Sequence, residues 1–122
     1  MDKEIQVFFI AEIRHLAWCC YQLGAGQSFN PVPNADQLES LTNGIEFMLL
    51  YPDTTPKENH DNWMKMKISQ GWKYGPEKSF QLLTHPHLVP FDELPEVERN
   101  KDAMDIMAHN KALDLFKDFV ER

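Results

Sequence analysis

The placement of proline and glycine limits the folds open to this chain more than any other feature. Gly24 and Gly26, Pro31 and Pro33, Pro52 and Pro56, and then Gly71, Gly75, Pro76, Pro86, Pro90 and Pro95 fall in clusters. Proline lacks an amide donor and blocks the preceding helical turn, and glycine closes helices in left-handed backbone. The clusters therefore divide 122 residues into four segments long enough to be helices and one irregular stretch.

The four segments carry apolar residues three and four positions apart, the spacing of one helix face. Helix one is expected from Lys3 to Leu23, burying Ile5, Phe9, Ile13, Leu16, Cys20 and Leu23. Helix two starts at Asn34, where Gln37 completes a capping arrangement, and runs through Leu38, Leu41, Ile45, Met48 and Leu49 to Tyr51. Helix three has the clearest start: Thr55 as cap, Pro56 in the first turn and Glu58 reaching back. It should reach Ser69 with His60, Trp63, Met64, Lys67 and Ile68 on one face. Trp72 to Pro90 has no helical period and is read as an ordered loop with room for a short strand pair. Helix four follows Pro95, with Val97, Met104, Ile106, Met107, Leu113, Phe116 and Val120 as its apolar residues. The expected fold is mainly α, a compact four-helix single domain over residues 1–122 with a long ordered loop.

Composition narrows the function. Hydrophobic residues at 43% and charged residues at 25% are ordinary for a globular protein. Cys19 and Cys20 are neighbours on a helix, where side chains diverge by about 100°, so no disulfide or zinc site is expected of them. Asp2, Glu4, Glu12 and Arg14 bracket the first apolar run, which is unlike a signal peptide, and no run is long enough to span a bilayer. A cytoplasmic location with no membrane partner is expected. A net charge of −7 disfavours nucleic acid as a partner. That charge is uneven: Lys57 to Phe80 holds five lysines against three acidic residues, a local +2 that leaves −9 on the remainder.

No nucleophile elbow, phosphate loop, dinucleotide fingerprint or paired metal-binding helix motif is present, so neither catalysis nor a cofactor is expected. His60 and Asp61 are consecutive helical residues that point apart. His85 and His87 flank Pro86, and a hydrogen bond to backbone explains His85 better than metal ligation. Trp63, Trp72 and Tyr74 lie among Lys67, Lys73 and Lys78, a combination suited to a planar ligand bearing an anionic group. The same rings could instead anchor the loop on the helices.

These residues form ordered blocks. They are His60-Asp61-Asn62-Trp63 with Lys67, then Gly71-Trp72-Lys73-Tyr74-Gly75-Pro76, then His85-Pro86-His87-Leu88-Val89-Pro90-Phe91, and Leu94-Pro95. Over about residues 52–107 the combination resembles the RyR domain, the repeat named for ryanodine receptors and found also in small bacterial and phage proteins. Phe91 departs from the tyrosine common at that position, and helix one carries no block of the family.

The resemblance implies a compact helical repeat without catalytic activity. In the receptors the repeats occur as tandem pairs that are similar to a clamp and can accommodate an adenine nucleotide. The expected partner is a small anionic ligand, an adenine nucleotide or an NAD-derived compound, held between helix three and the following loop. The expected ligand-binding residues are His60, Trp63, Lys67, Trp72, Tyr74, Lys78 and His85. Trp63 would stack on a base, Trp72 and Tyr74 would shape the pocket, and Lys67 and Lys78 would meet the anion. His60 and His85 would orient polar atoms. A single copy suggests a homodimer that restores a pair. The rival expectation is a protein-interaction module using the same aromatic surface.

Overall fold

The computed structural model describes residues 3–120. Four helices appear where the proline and glycine clusters allow them: α1 Lys3–Gly24, α2 Ala35–Leu50, α3 Pro56–Ser69 and α4 Glu96–Val120. A two-residue parallel pair, β1 Lys73–Tyr74 with β2 Thr84–His85, and a 3-10 turn at Phe91–Glu93 order the loop before α4. The domain is mainly α, and among the described residues no helix is long and apolar enough to cross a membrane.

Local chemistry sets the helix ends. Asn34 and Gln37 form a full capping box on α2, and Thr55 and Glu58 form another on α3 with Pro56 in the first turn. Helix α3 stops at Gly71, whose φ of +92° lets its amide reach the Ile68 carbonyl and lets the Trp72 amide reach Lys67. Those two bonds are the left-handed closure that only glycine adopts without strain.

Helices α1 and α4 pack antiparallel, with Phe9 and Phe116 ring centroids 5.5 Å apart at one end and the Tyr21 hydroxyl donating to the Val97 carbonyl at the other. The core joins Val7, Ile10 and Ala11 of α1, Ile45 of α2 and Ala112 of α4.

The buried stripe of α1 is not the expected one. Ile5, Leu16, Cys20 and Leu23 are exposed, Leu23 by 68%, while Val7, Ile10, Ala11, Arg14, His15, Cys19 and Gln22 are buried. Three of those seven are polar: Arg14 faces Asp105 of α4, and His15 and Gln22 serve an irregular connection whose carbonyls need donors. The His15 imidazole and the Cys19 thiol both meet the Asn30 carbonyl, and the Gln22 amide donates to the Ser28 carbonyl. In α4 the buried residues are His109, Ala112 and Phe116, whereas Met107 and Val97 are exposed.

Gly75 has a second kind of necessity. A Cβ there would lie 2.5 Å from the Thr84 Cβ, so β1 and β2 can meet only if residue 75 has no side chain. Gly75→Ala is expected to cost about 2 kcal/mol through this overpacking. Urea unfolding measures it.

Candidate functional site

The functional side chains are set by the phase of α3. With Thr55 capping its start, His60, Trp63 and Lys67 fall three and four residues apart and face the same way. The His60 ring nitrogen Nε2 lies 2.8 Å from the Val89 carbonyl, which ties the helix to the loop, and the ring stacks on Trp63 at 5.6 Å. Lys67 is 3% exposed. Its ammonium donates to Asp36 of α2 and sits 5.0 Å from the Trp72 ring centroid.

These residues form one wall of a cleft of about 420 Å³. Helix α1 contributes Arg14, His15 and Trp18, α2 contributes Asp36 and Gln37, and α4 contributes Glu98, Lys101, Asp102 and Asp105. The loop adds Lys78, His85 and His87. The volume lies within the roughly 300–1,000 Å³ of small-molecule sites.

Of the seven residues expected at a site, His60, Trp63, Lys67, Lys78 and His85 line this cleft. Trp72 and Tyr74 do not. Trp72 is buried behind the wall, edge-on to Phe80 at 5.4 Å and to His85 at 6.3 Å, and Tyr74 is exposed on β1. Both therefore support or flank the loop, and neither shapes the cavity. The space also extends beyond α3 and the loop to α1, α2 and α4.

The helix α4 residues carry a signal that sequence reading passed over. Glu98, Lys101, Asp102 and Asp105 recur at helical spacing, which reads as a solvated charged face until α1 and α3 are laid against it. Arg14 and Trp18 are hidden for a related reason: they lie four residues apart on the side of α1 that packs inward, where apolar periodicity does not point.

The charges in the cleft are mostly matched. Arg14 lies 3.7 Å from Asp105, Lys67 pairs with Asp36, and Lys101 is 3.1 Å from Glu98. Among the described residues that line the cleft, this leaves Lys78 paired with no carboxylate, its ammonium 5.0 Å from the Phe80 ring centroid, and Asp102 paired with no lysine or arginine. Burial, Asp105 and Glu98 push the Asp102 carboxyl up to about 7, and burial raises Asp105 against the pull of Arg14. His85 is pushed down to about 4 by burial and by His87, Lys78 and Lys67. Its Nδ1 accepts from the His87 amide at 3.0 Å, so this imidazole is neutral at pH 7 and organises the loop. His87 is lowered too, chiefly by burial.

Arg14 is buried against the Met48 sulfur, and its Nε has no hydrogen-bond partner. The cleft thus combines two indole rings, a cation that is paired with no carboxylate and a polar floor.

Comparison with protein-family models matches residues 52–121 to the RyR domain. The match takes in α3, the ordered loop and α4, the elements that supply His60, Trp63, Lys78 and Asp102 to the cleft. This chain belongs to the RyR domain family.

Proposed function

We propose that this RyR-domain protein is a non-catalytic binding protein whose cleft takes a small anionic, nucleotide-like ligand. The observation that carries this reading is the mismatch left after ion pairing: Lys78 has no carboxylate partner in a cleft also lined by Trp18 and Trp63. An ammonium group supplies a counter-charge to phosphate or carboxylate, and indole faces accept a planar ring.

The non-catalytic part is supported by how the histidines are committed. His15, His60 and His85 each use one ring nitrogen to hold a backbone group, at Asn30, Val89 and His87, which gives these rings a structural part in the connections they touch.

A thermal-shift series with adenine nucleotides and NAD-derived compounds tests the reading. A specific ligand at about 100 times its Kd raises stability by about 2.7 kcal/mol, a shift of several degrees for a domain this size. Lys78→Glu is expected to abolish that shift while leaving the unliganded midpoint within about 2 °C, because an exposed charge contributes little to stability. No shift with any of these compounds at millimolar concentration would count against a nucleotide-like ligand.

A second reading, self-association, is favoured by α1. Ile5, Phe8, Leu16 and Leu23 are exposed on the side of the helix away from the core, with Glu12 between Phe8 and Leu16. Sedimentation velocity checks it: a dimer that Phe8→Glu dissociates supports the reading, and a monomer at high concentration contradicts it.

A further inference from the structure

Arg14 lines the cleft without the hydrogen bonds that a buried cation needs. It is 4% exposed, and its guanidinium makes one hydrogen bond, to the Met48 sulfur at 3.9 Å. The Asp105 carboxylate lies 3.7 Å from Nη2, beyond hydrogen-bond distance, and Nε has no partner. A buried ion pair offsets its desolvation only when hydrogen bonds complete it, so Asp105 alone does not account for this group. The fork is nonetheless held in place against α2. Met48 touches one side, and a Cβ at Gly44 would stand 3.5 Å from Nη1 and 3.6 Å from Nη2.

We propose that Arg14 anchors the anionic end of the ligand, holding two oxygens of a carboxylate or phosphate group by paired N–H···O bonds. The proposal rests on the cleft reading above and adds the residue that grips the anion. Lys78, exposed with its ammonium over the Phe80 ring, then supplies attraction at the rim. A guanidinium presents parallel donors to two oxygens at once, which an ammonium group cannot do. Such a fork favours an oxyanion over a neutral ring substituent or a halide.

The carboxylates around Arg14 do not close this position to an anion. Asp36 is taken by Lys67 and Glu98 by Lys101. Burial pushes Asp102 up to about 7 and raises Asp105 too, which draws both toward their neutral forms. Arg14 lies on α1, outside residues 52–121 that match the family, so the anchor comes from this chain's own N-terminal helix and from no block of the family motif.

Titration calorimetry of the full chain with AMP, phenyl phosphate and benzoate tests the proposal. At least one is expected to bind, and the tighter of phenyl phosphate and benzoate names the oxyanion, since the ring is shared. Arg14→Lys keeps the charge and removes the fork, and it should weaken that ligand tenfold or more. In the unaltered, 15N-labelled protein the Arg14 Nε–H signal should move as the same ligand is added, and this measurement decides if the variant does not fold. A smaller loss in a folded variant, or an unmoved Nε–H signal, overturns the anchor and leaves the cleft reading standing. No binding by any of the three at millimolar concentration overturns both.

Discussion

Replacing Lys67 with methionine is expected to destabilise the protein by about 3 kcal/mol, the usual scale for removing one partner of a buried ion pair. Methionine nearly fills the lysine stem, so little of this loss is cavity formation. The cost arises at Asp36, which is left partly buried against α3 without its ammonium partner. The cation–π contact over Trp72 is lost as well, and with it the seat of the loop on the helix. Removing both charges in Lys67→Met/Asp36→Leu should recover much of the stability, because replacing a whole buried pair with apolar groups is often close to neutral. Urea unfolding of the single and double variants provides the cycle. A single variant within about 0.5 kcal/mol of the unaltered protein would place this pair among ordinary surface contacts.

The second large effect depends on pH and lies in the core. His109 is 1% exposed, neither ring nitrogen has a partner, and burial together with Arg14 pushes its ionisation down to about 4. Its folded value is thus below its unfolded value of 6.5. Between those two values the unfolded chain binds a proton that the folded chain does not, so this residue's contribution is complete above 6.5 and is lost as pH falls toward 4. From pH 7.5 to pH 5 the loss is about 2 kcal/mol. Asp102 acts in the opposite direction. Its folded value near 7 lies above the unfolded 3.8, so protonation stabilises the fold as pH falls through that range. Comparing the unaltered protein with His109→Leu at both pH values isolates the imidazole, since the packing change is common to both. The stability difference between the two proteins should therefore move by about 2 kcal/mol in the variant's favour between pH 7.5 and pH 5, whatever Asp102 contributes to both. Equal losses in the two proteins would show that the buried ring is not the source.

Both predictions turn on residues that differ in how visible they are in the chain. The starts of α2 and α3 are legible because Asn34–Gln37 and Thr55–Glu58 satisfy the first amides of their own helices, and the end of α3 is legible because Gly71 closes it. Those interactions are local. The buried face of α1 is not legible in the chain because it carries Arg14, His15 and Gln22, whose partners lie on α4 and in the connection after α1. Apolar periodicity points outward there, toward Ile5, Leu16 and Leu23.

The same reason hid half of the cleft. Glu98, Lys101, Asp102 and Asp105 repeat as charges on a long helix, and nothing in the chain says that α1 and α3 cover them. In the loop the difficulty is different. With no regular period, side-chain direction between Trp72 and His85 cannot be read, so residues close in sequence to Lys67 and Lys78 were grouped as one surface. The structure separates them: Trp72 packs behind Lys67, Tyr74 points away, and Lys78 and His85 reach the cavity. Trp72 and Tyr74 thus lie in a block of the family motif without lining the cleft.

The chain contains three tryptophans, which makes the central claim open to one observation. Trp18 and Trp63 line the cleft and Trp72 does not, so the three indole N–H signals of a 15N-labelled sample report on different surroundings. Titration with AMP is expected to shift the Trp18 and Trp63 signals progressively and to leave Trp72 nearly unmoved. A dominant shift at Trp72, or no shift of any indole up to millimolar nucleotide, would contradict a nucleotide-like ligand in this cleft.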